Sequence, residues 1–393
     1  YNQNFKAGES QVLYSGPYWD EEEIMAAITT FITGKWVVAG ENVYKFERRF
    51  AKYFGAKYGQ MVNSGSSANL VLIAGLKKYF GWNDGDEIIV SPVGFPTTIS
   101  TIVQNGLKPV FVDIEFETLN FDVTKIEEKI TEKTKGIFVS PVLGNPPDMD
   151  YLKALCEKYD IKLIGDSCDS IGTKYDGKHL SDYYVAWSSS FYPAHHISTG
   201  EGGMVCTNIE DLKKEFTSFA WWGRDCYCVG SANLLSCGSC GKRFDNWLSG
   251  YDGIIDHKYV FRNMGYNLKP MDLQGSIGLV QLSKFDEIDT AIPTYTTNYI
   301  PYTQASEAIP VPTGIFVEMT PSGIPSEAGS PASYNATISW TPPEYAFTEH
   351  YEISHDMIAN GSSNLNMSIE TVAKGATSFT IPNVQAGNYT VKI

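Results

Sequence analysis

The chain has 393 residues, 43% hydrophobic and 19% charged, enough to bury a real core spread over two or three domains. Thirty basic against 45 acidic side chains leave a formal charge of −15, which disfavours nucleic acid and anionic membrane surfaces as partners. No apolar run approaches the ~18 residues that span a bilayer, and no signal peptide is expected at the head of the chain. Seven cysteines, all between Cys156 and Cys240, make an odd count. They argue against an extracellular disulfide framework and for a reducing, cytoplasmic compartment with metal or thiol chemistry.

In chain order, helical periodicity is expected over 21–32, 43–54, 66–80, 122–131 and 148–159. Between these segments stand the strand-like runs "EIIVS" (87–91), "PVFVD" (109–113), "GIFVS" (136–140) and "KLIGD" (162–166). Alternation of this kind predicts an α/β domain with a mostly parallel sheet covered on both faces. Ligands are expected beyond the carboxyl ends of its strands. The composition changes near residue 290: residues 290–393 hold only 2 basic and 8 acidic side chains but 10 of the 19 prolines. The division is therefore 1–289, a linker over 290–312, and an all-β segment over 313–393. In that tail "GIFVEMT", "NATISWTPP", "HYEISHD", "TSFTIPN" and "NYTVKI" alternate, with Trp340, Tyr351 and Tyr389 as inward anchors. The spacing resembles a fibronectin type III module of the kind found in phage tail proteins, which implies a β-sandwich whose last strand is absent.

Several segments suit an anionic cofactor. "NSGSSAN" (63–69) opens a helix, where free backbone N–H groups and hydroxyls would hold a phosphate. An N-capped helix after a glycine turn explains the same text. "STGEGGM" (198–204) is a glycine-rich turn ahead of the strand "MVCT". Asp166 ends "KLIGD", where it either faces a protonated ring nitrogen or caps the next turn. Phe95 in "GFPTT" either stacks on a ring or sits in the core. Four thiols lie within fifteen residues as Cys226-x-Cys228 and Cys237-x-x-Cys240, and Cys168 follows Asp166 closely. Such spacing points to metal, and composition alone leaves a closed zinc site and an iron–sulfur cluster both open.

Taken together, "NSGSSAN", "PVLGNPPDMDYL", "GDSCDSIG", "SSSFYPAHHISTGEGGMV" and "GYNLKPMDLQGSIGLVQLSKFDEI" resemble the sugar aminotransferase family of fold type I pyridoxal-phosphate enzymes, over roughly residues 10–288. The resemblance implies that Asp166 pairs with the pyridine nitrogen, and that Gly65, Ser66, Ser67 and Ser190 hold the phosphate. It implies Phe95 over the ring, and Asn267 reaching the cofactor of a neighbouring subunit in a homodimer. Ordinary members carry a lysine where this chain has His195, followed by His196. Imidazole forms no stable Schiff base with pyridoxal but is a capable general base, so pyridoxamine 5′-phosphate held non-covalently is the expected form.

Within the family, "WWGRDCYC", "CGKRFDNWL" and "GYDGIIDHKY" look most like the CDP-4-keto-6-deoxyglucose 3-dehydrases, which combine this exchange with a 2Fe–2S cluster. That likeness assigns Cys168, Cys226, Cys228 and Cys240 as ligands, with Cys237 a rival for the fourth place and Cys156 and Cys206 ordinary buried thiols. It implies a CDP-4-keto-6-deoxyhexose as substrate. On that likeness His195 would take a proton from the cofactor methylene, the hydroxyl at carbon 3 would leave, and an NADH-dependent iron–sulfur flavin reductase would supply electrons. The product would feed dideoxysugar and lipopolysaccharide O-antigen synthesis. Arg224, Lys242, Arg243, Lys258 and Lys269 are the candidate cations for the nucleotide diphosphate. The family's small C-terminal domain is not recognisable after "LSKFDEI". Two further readings stand: a non-redox 3-dehydratase or sugar aminotransferase homologue, and an inactive, virion-associated fusion that binds glycans.

Overall fold

The computed structural model describes residues 16–34, 36–226, 243–245 and 250–286, together with six strands between 313 and 392. The chain divides into two compact units, Tyr1–Pro301 and Tyr302–Ile393.

The first unit opens with α1 (Glu21–Thr33), started by a capping box in which Asp20 and Glu23 satisfy each other's backbone N–H groups. Next come α2 (Glu41–Tyr53), β1 (Tyr58–Val62) and α3 (Gly65–Phe80), followed by β2 (Glu87–Val90), α4 (Pro96–Gln104) and β3 (Lys108–Phe111). β4 (Thr134–Val139), α5 (Met149–Tyr159), β5 (Lys162–Asp166) and a small hairpin of β6 (Lys174–Tyr175) and β7 (Lys178–His179) lead to β8 (Ala186–Ser190) and β9 (Gly203–Thr207). The unit continues with α6 (Glu210–Ala220) and α7 (Asp272–Ser283).

Seven strands form one sheet in the order β1-β9-β8-β5-β4-β2-β3. β3, β2, β4, β5 and β8 pair in parallel, whereas β9 runs antiparallel to both its neighbours, β8 and β1. The expected mostly parallel sheet is present. The reversal of β9 follows from the glycine-rich turn before it, where Gly200 and Gly202 take φ of 82° and 158°. The central strands are buried along their whole lengths, as in β2 and β8. α3 lies against β8 and β9 on one side and α6 on the other, with Ala68, Val71, Leu72, Ile73 and Leu76 buried. Gly75 lets it approach α6, because a Cβ there would meet the Phe216 ring at 2.4 Å.

One expected helix is corrected. Residues 122–131 form two short 3-10 turns, Val123–Lys125 and Glu127–Lys129, joined at Ile126. The apolar spacing of Val123, Ile126 and Ile130 is met by i→i+3 bonding, as in Ile126 N–H to Val123 C=O at 3.3 Å. Helix α4 went unread because "PTTISTIVQ" is rich in β-branched residues. Proline at its first turn and burial of Thr98, Thr101 and Ile102 outweigh that bias.

The second unit contains β10 (Thr313–Pro321), β11 (Ser333–Thr341), β12 (His350–His355), β13 (Ser368–Ala373), β14 (Ser378–Gln385) and β15 (Val391–Lys392). They form two three-stranded antiparallel sheets, β10-β11-β14 and β13-β12-β15. Strand β13 was not foreseen. The facing of Trp340 and Tyr351, and Tyr389 altogether, lie outside the described residues.

Candidate active site

The parallel strands point their carboxyl ends to one edge, and the chain crosses that edge at Asn63–Ser67, Ser91–Phe95, Asp166–Asp169 and Ser190–His195. Asp166 is only 3% exposed. Its Oδ2 accepts from Asn69 Nδ2 at 2.8 Å and Thr98 Oγ1 at 2.7 Å, and its Oδ1 accepts from Cys168 N–H at 3.2 Å. Ser188, paired with Asp166 in the sheet register, donates its hydroxyl to Asn69 Oδ1 at 2.5 Å. α3, α4 and β8 thus converge on one carboxylate and fix its direction. No basic side chain is bonded to it among the described residues.

The cradle lies beside it. Ser64 caps α3, its Oγ accepting from Ser67 N–H at 3.1 Å and lying 3.0 Å from Ser67 Oγ. Gly65 is the first residue of the helix, and a Cβ there would fall 2.4 Å from Ser190 Cβ. Gly203 lies equally close, its Cβ position 2.3 Å from the Ser64 carbonyl oxygen. Both glycines let the helix start lie against the ends of β8 and β9, so that Ser66, Ser67 and Ser190 share one rim. Ser190 Oγ accepts from Tyr192 N–H at 3.3 Å. An anion there would meet unpaired helix N–H groups and hydroxyls.

Phe95 precedes α4 directly and is 66% exposed, three residues from the Thr98 that binds Asp166. With Ser91, Gly94, Thr98 and Ser140 it lines a small depression at the end of β2. His195 is half-buried, and its Nδ1 lies 3.1 Å from Asp169 Oδ1. That contact ties the histidine to the same turn that carries Asp166. The adjacent His196 stacks towards Phe285, with ring centroids 6.4 Å apart. Asn267 stands apart from this group: it is exposed, and its side-chain carbonyl accepts from Lys269.

Cys168 and Cys226 are both part-buried, whereas Cys228, Cys237 and Cys240 lie outside the described residues. Desolvation, and then the Asp166 carboxylate, push the Cys168 thiol well above its ordinary range. Among the described residues no three His, Cys, Asp or Glu side chains gather as metal ligands. Burial pushes Cys156 up to about 12 and Cys206 also well up, as suits inert buried thiols. Of the expected cations, Arg243 is committed to Asp256 at 2.6 Å, and Lys242 lies outside the described residues. No described helix is long and apolar enough to cross a membrane.

Asn69, Thr98, Asp169 and Ser188 were not singled out in the sequence. Asp169 carried a signal, a second carboxylate three residues after the strand-terminal Asp166. Asn69 and Ser188 carried a weaker one, since both fall inside motifs already quoted.

A buried, bonded aspartate beside a helix-start anion cradle, both at the carboxyl edge of this sheet, defines a domain of the aminotransferase-like α/β class. Residues 19–299 match the DegT/DnrJ/EryC1/StrS aminotransferase family, and the chain belongs to that family. It is 40% identical over 291 residues to the dTDP-4-dehydro-2,6-dideoxy-D-glucose 3-dehydratase of Saccharopolyspora spinosa, covering 73% of this chain and 62% of that one. It is 39% identical over 287 residues to the lipopolysaccharide biosynthesis protein RfbH of Salmonella typhimurium, covering 72% and 64%. The chain therefore spans less than two thirds of either relative's length. Among solved structures, E. coli GDP-4-keto-6-deoxy-D-mannose-3-dehydratase with bound hydrated PLP superposes with a TM-score of 0.63 at 27% identity, over 85% of this chain and 80% of that one.

Proposed function

We propose that this chain is the cofactor-binding part of a nucleotide-sugar 3-dehydratase that uses pyridoxamine phosphate, with His195 as its base. The observation that carries the reading is an imidazole held by Asp169, on the turn that follows the buried Asp166; the resemblance assigns this histidine to the position where the family carries lysine. The residues fit the cofactor: Asp166 has the burial and fixed orientation that a ring N–H requires, and the Ser64–Ser67 turn with Ser190 suits a phosphate. When bound, the cofactor supplies an amine for the sugar ketone and an electron sink. Asp166 would keep the ring nitrogen protonated through a charge-assisted hydrogen bond. Asn69 and Thr98 hold that carboxylate in line, and Phe95 would cover the ring. His195, its Nδ1–H directed to Asp169, presents Nε2 as the proton acceptor. The same imidazole could return that proton to the departing carbon-3 hydroxyl.

The relatives point to a 4-keto-deoxy sugar carried on a nucleoside diphosphate, and CDP is our choice of nucleotide. A homodimer sharing Asn267 and an NADH-dependent iron–sulfur flavin reductase complete the proposed partners. If His195 stands in the lysine position, the native chain, treated with pyridoxal phosphate and borohydride, should carry no cofactor mass on the peptide containing residue 195. His195→Lys should carry it. Labelling of that peptide in the native chain would overturn the reading.

Two of the four proposed cluster ligands, Cys228 and Cys240, lie outside the described residues. The 2Fe–2S proposal rests on the sequence likeness that assigns Cys168, Cys226, Cys228 and Cys240 as ligands, since their spacing alone suits zinc equally. Anaerobically purified chain should contain about two irons and two acid-labile sulfides. A colourless protein with one zinc would assign those thiols to a structural site instead.

A further inference from the structure

Two cations meet on one indole next to the cradle. Trp222, just after α6, has φ of 61°, a left-handed conformation that a bulky residue adopts only when its surroundings impose it. Trp222 N–H donates to the Tyr266 carbonyl at 2.7 Å, and Gly223 N–H to the Ser218 carbonyl at 2.7 Å. Gly223 is pressed so closely on the facing segment that a Cβ would lie 1.8 Å from the Asn263 carbonyl oxygen. The two strands of chain, 221–224 and 263–269, are thereby locked together. The same segment reaches the cradle, because the Leu268 carbonyl accepts from Asn63 N–H at 3.0 Å.

This lock places Arg224 Cζ 4.5 Å and Lys269 Nζ 3.3 Å from the centroid of the Trp222 ring, which is 37% exposed. The guanidinium also lies 5.8 Å from the Tyr259 ring. Arg224 Nε is buried without a hydrogen-bond partner, and no carboxylate pairs with either cation among the described residues. The nearby acids are engaged elsewhere: Glu215 binds Arg262 at 2.5 Å, and Asp225 lies 3.4 Å from the same arginine. Burial, and then the Arg224 charge, pull the Lys269 ammonium down to about 8. Cation–π contact attracts each charge to the ring but does not cancel their mutual repulsion. An anion would.

We propose that Arg224 and Lys269, mounted on Trp222, bind the diphosphate of the nucleotide-activated substrate. The proposal rests on the nucleotide-sugar reading above and selects two of the five cations considered from sequence. A guanidinium offers a planar fork for phosphoryl oxygens and an ammonium a point charge, so two phosphoryl groups in tandem match the pair better than one carboxylate. The phosphate of a second copy's pyridoxamine phosphate shares this chemistry, and the test separates the two sources.

The full chain is titrated with inorganic pyrophosphate, with CDP, GDP and dTDP, and with pyridoxamine phosphate, by calorimetry and tryptophan fluorescence. Pyrophosphate and all three nucleoside diphosphates should bind and shift the emission. Arg224→Gln and Lys269→Gln should each weaken them about tenfold, Arg224→Lys should retain part of the affinity, and pyridoxamine phosphate should bind all variants alike. Unchanged pyrophosphate binding in the double variant would overturn the proposal, as would selective loss of pyridoxamine phosphate. A wild-type chain that takes pyridoxamine phosphate but no diphosphate would sink this site and leave the cofactor reading standing. One that takes diphosphates at these residues but no pyridoxamine phosphate would do the reverse.

Discussion

Asp166→Asn should leave a folded chain that releases pyridoxamine phosphate. The carboxylate is buried and satisfied by Asn69, Thr98 and the Cys168 N–H, with no cation bonded to it among the described residues. The Cys168 thiol also bonds this carboxylate, and no cation neutralises its charge among the described residues. A protonated ring nitrogen would. An amide of the same shape keeps the packing but loses the negative charge, and its NH2 group must face a donor on at least one side. Hydrogen bonds to charged groups are worth about 1.5–3 kcal/mol, which corresponds to an affinity loss of about 10- to 150-fold. Isothermal titration and dialysis retention measure that loss, and thermal melting measures the fold. An unchanged affinity would mean that the carboxylate only ties α3, α4 and β5 together.

The network around Asp166 also shows what the sequence could reveal and what it could not. The strand-terminal aspartate was legible because β5 is short, apolar and ends in a single charge. The helix start was legible because serines and a glycine precede an apolar helical run, but the same text serves the N-cap that Ser64 supplies and the proposed phosphate cradle alike. The partners fall inside quoted motifs, but their convergence on Asp166 was not legible. Asn69, Thr98 and Ser188 lie on three elements separated by long stretches of chain, and they meet only because β8 sits beside β5 while α3 and α4 descend on the same edge. Local pattern misled at 122–131, where apolar spacing fits a 3-10 path as well as a helix, and at α4, where threonines conceal a helix that proline starts. The cation pair on Trp222 needed the Gly223–Asn263 crossing, for which no sequence spacing offers a signal.

His195→Asn should slow proton transfer by orders of magnitude while leaving the cofactor bound. Exchange of the methylene protons of bound pyridoxamine phosphate in deuterated water, followed by NMR, isolates this step without any sugar or reductase. A positioned general base is worth about 10²–10⁴-fold, so the exchange should slow by that factor in His195→Asn. Asp169→Ala should slow it less, about tenfold to a hundredfold, because the imidazole remains but its Nδ1 loses the acceptor 3.1 Å away that fixes the tautomer and the ring plane. Neither substitution touches the Ser64–Ser67 turn, Ser190 or Asp166, so affinity for the cofactor should stay within a factor of a few. The ordering of the two variants is the informative part. Equal losses would mean that Asp169 itself shares the proton. No loss in Asp169→Ala would mean that the turn after β5 orients nothing, and a normal rate in His195→Asn would move the base to another residue on this edge, with Tyr192 next in reach of the imidazole at 6.4 Å between ring centroids.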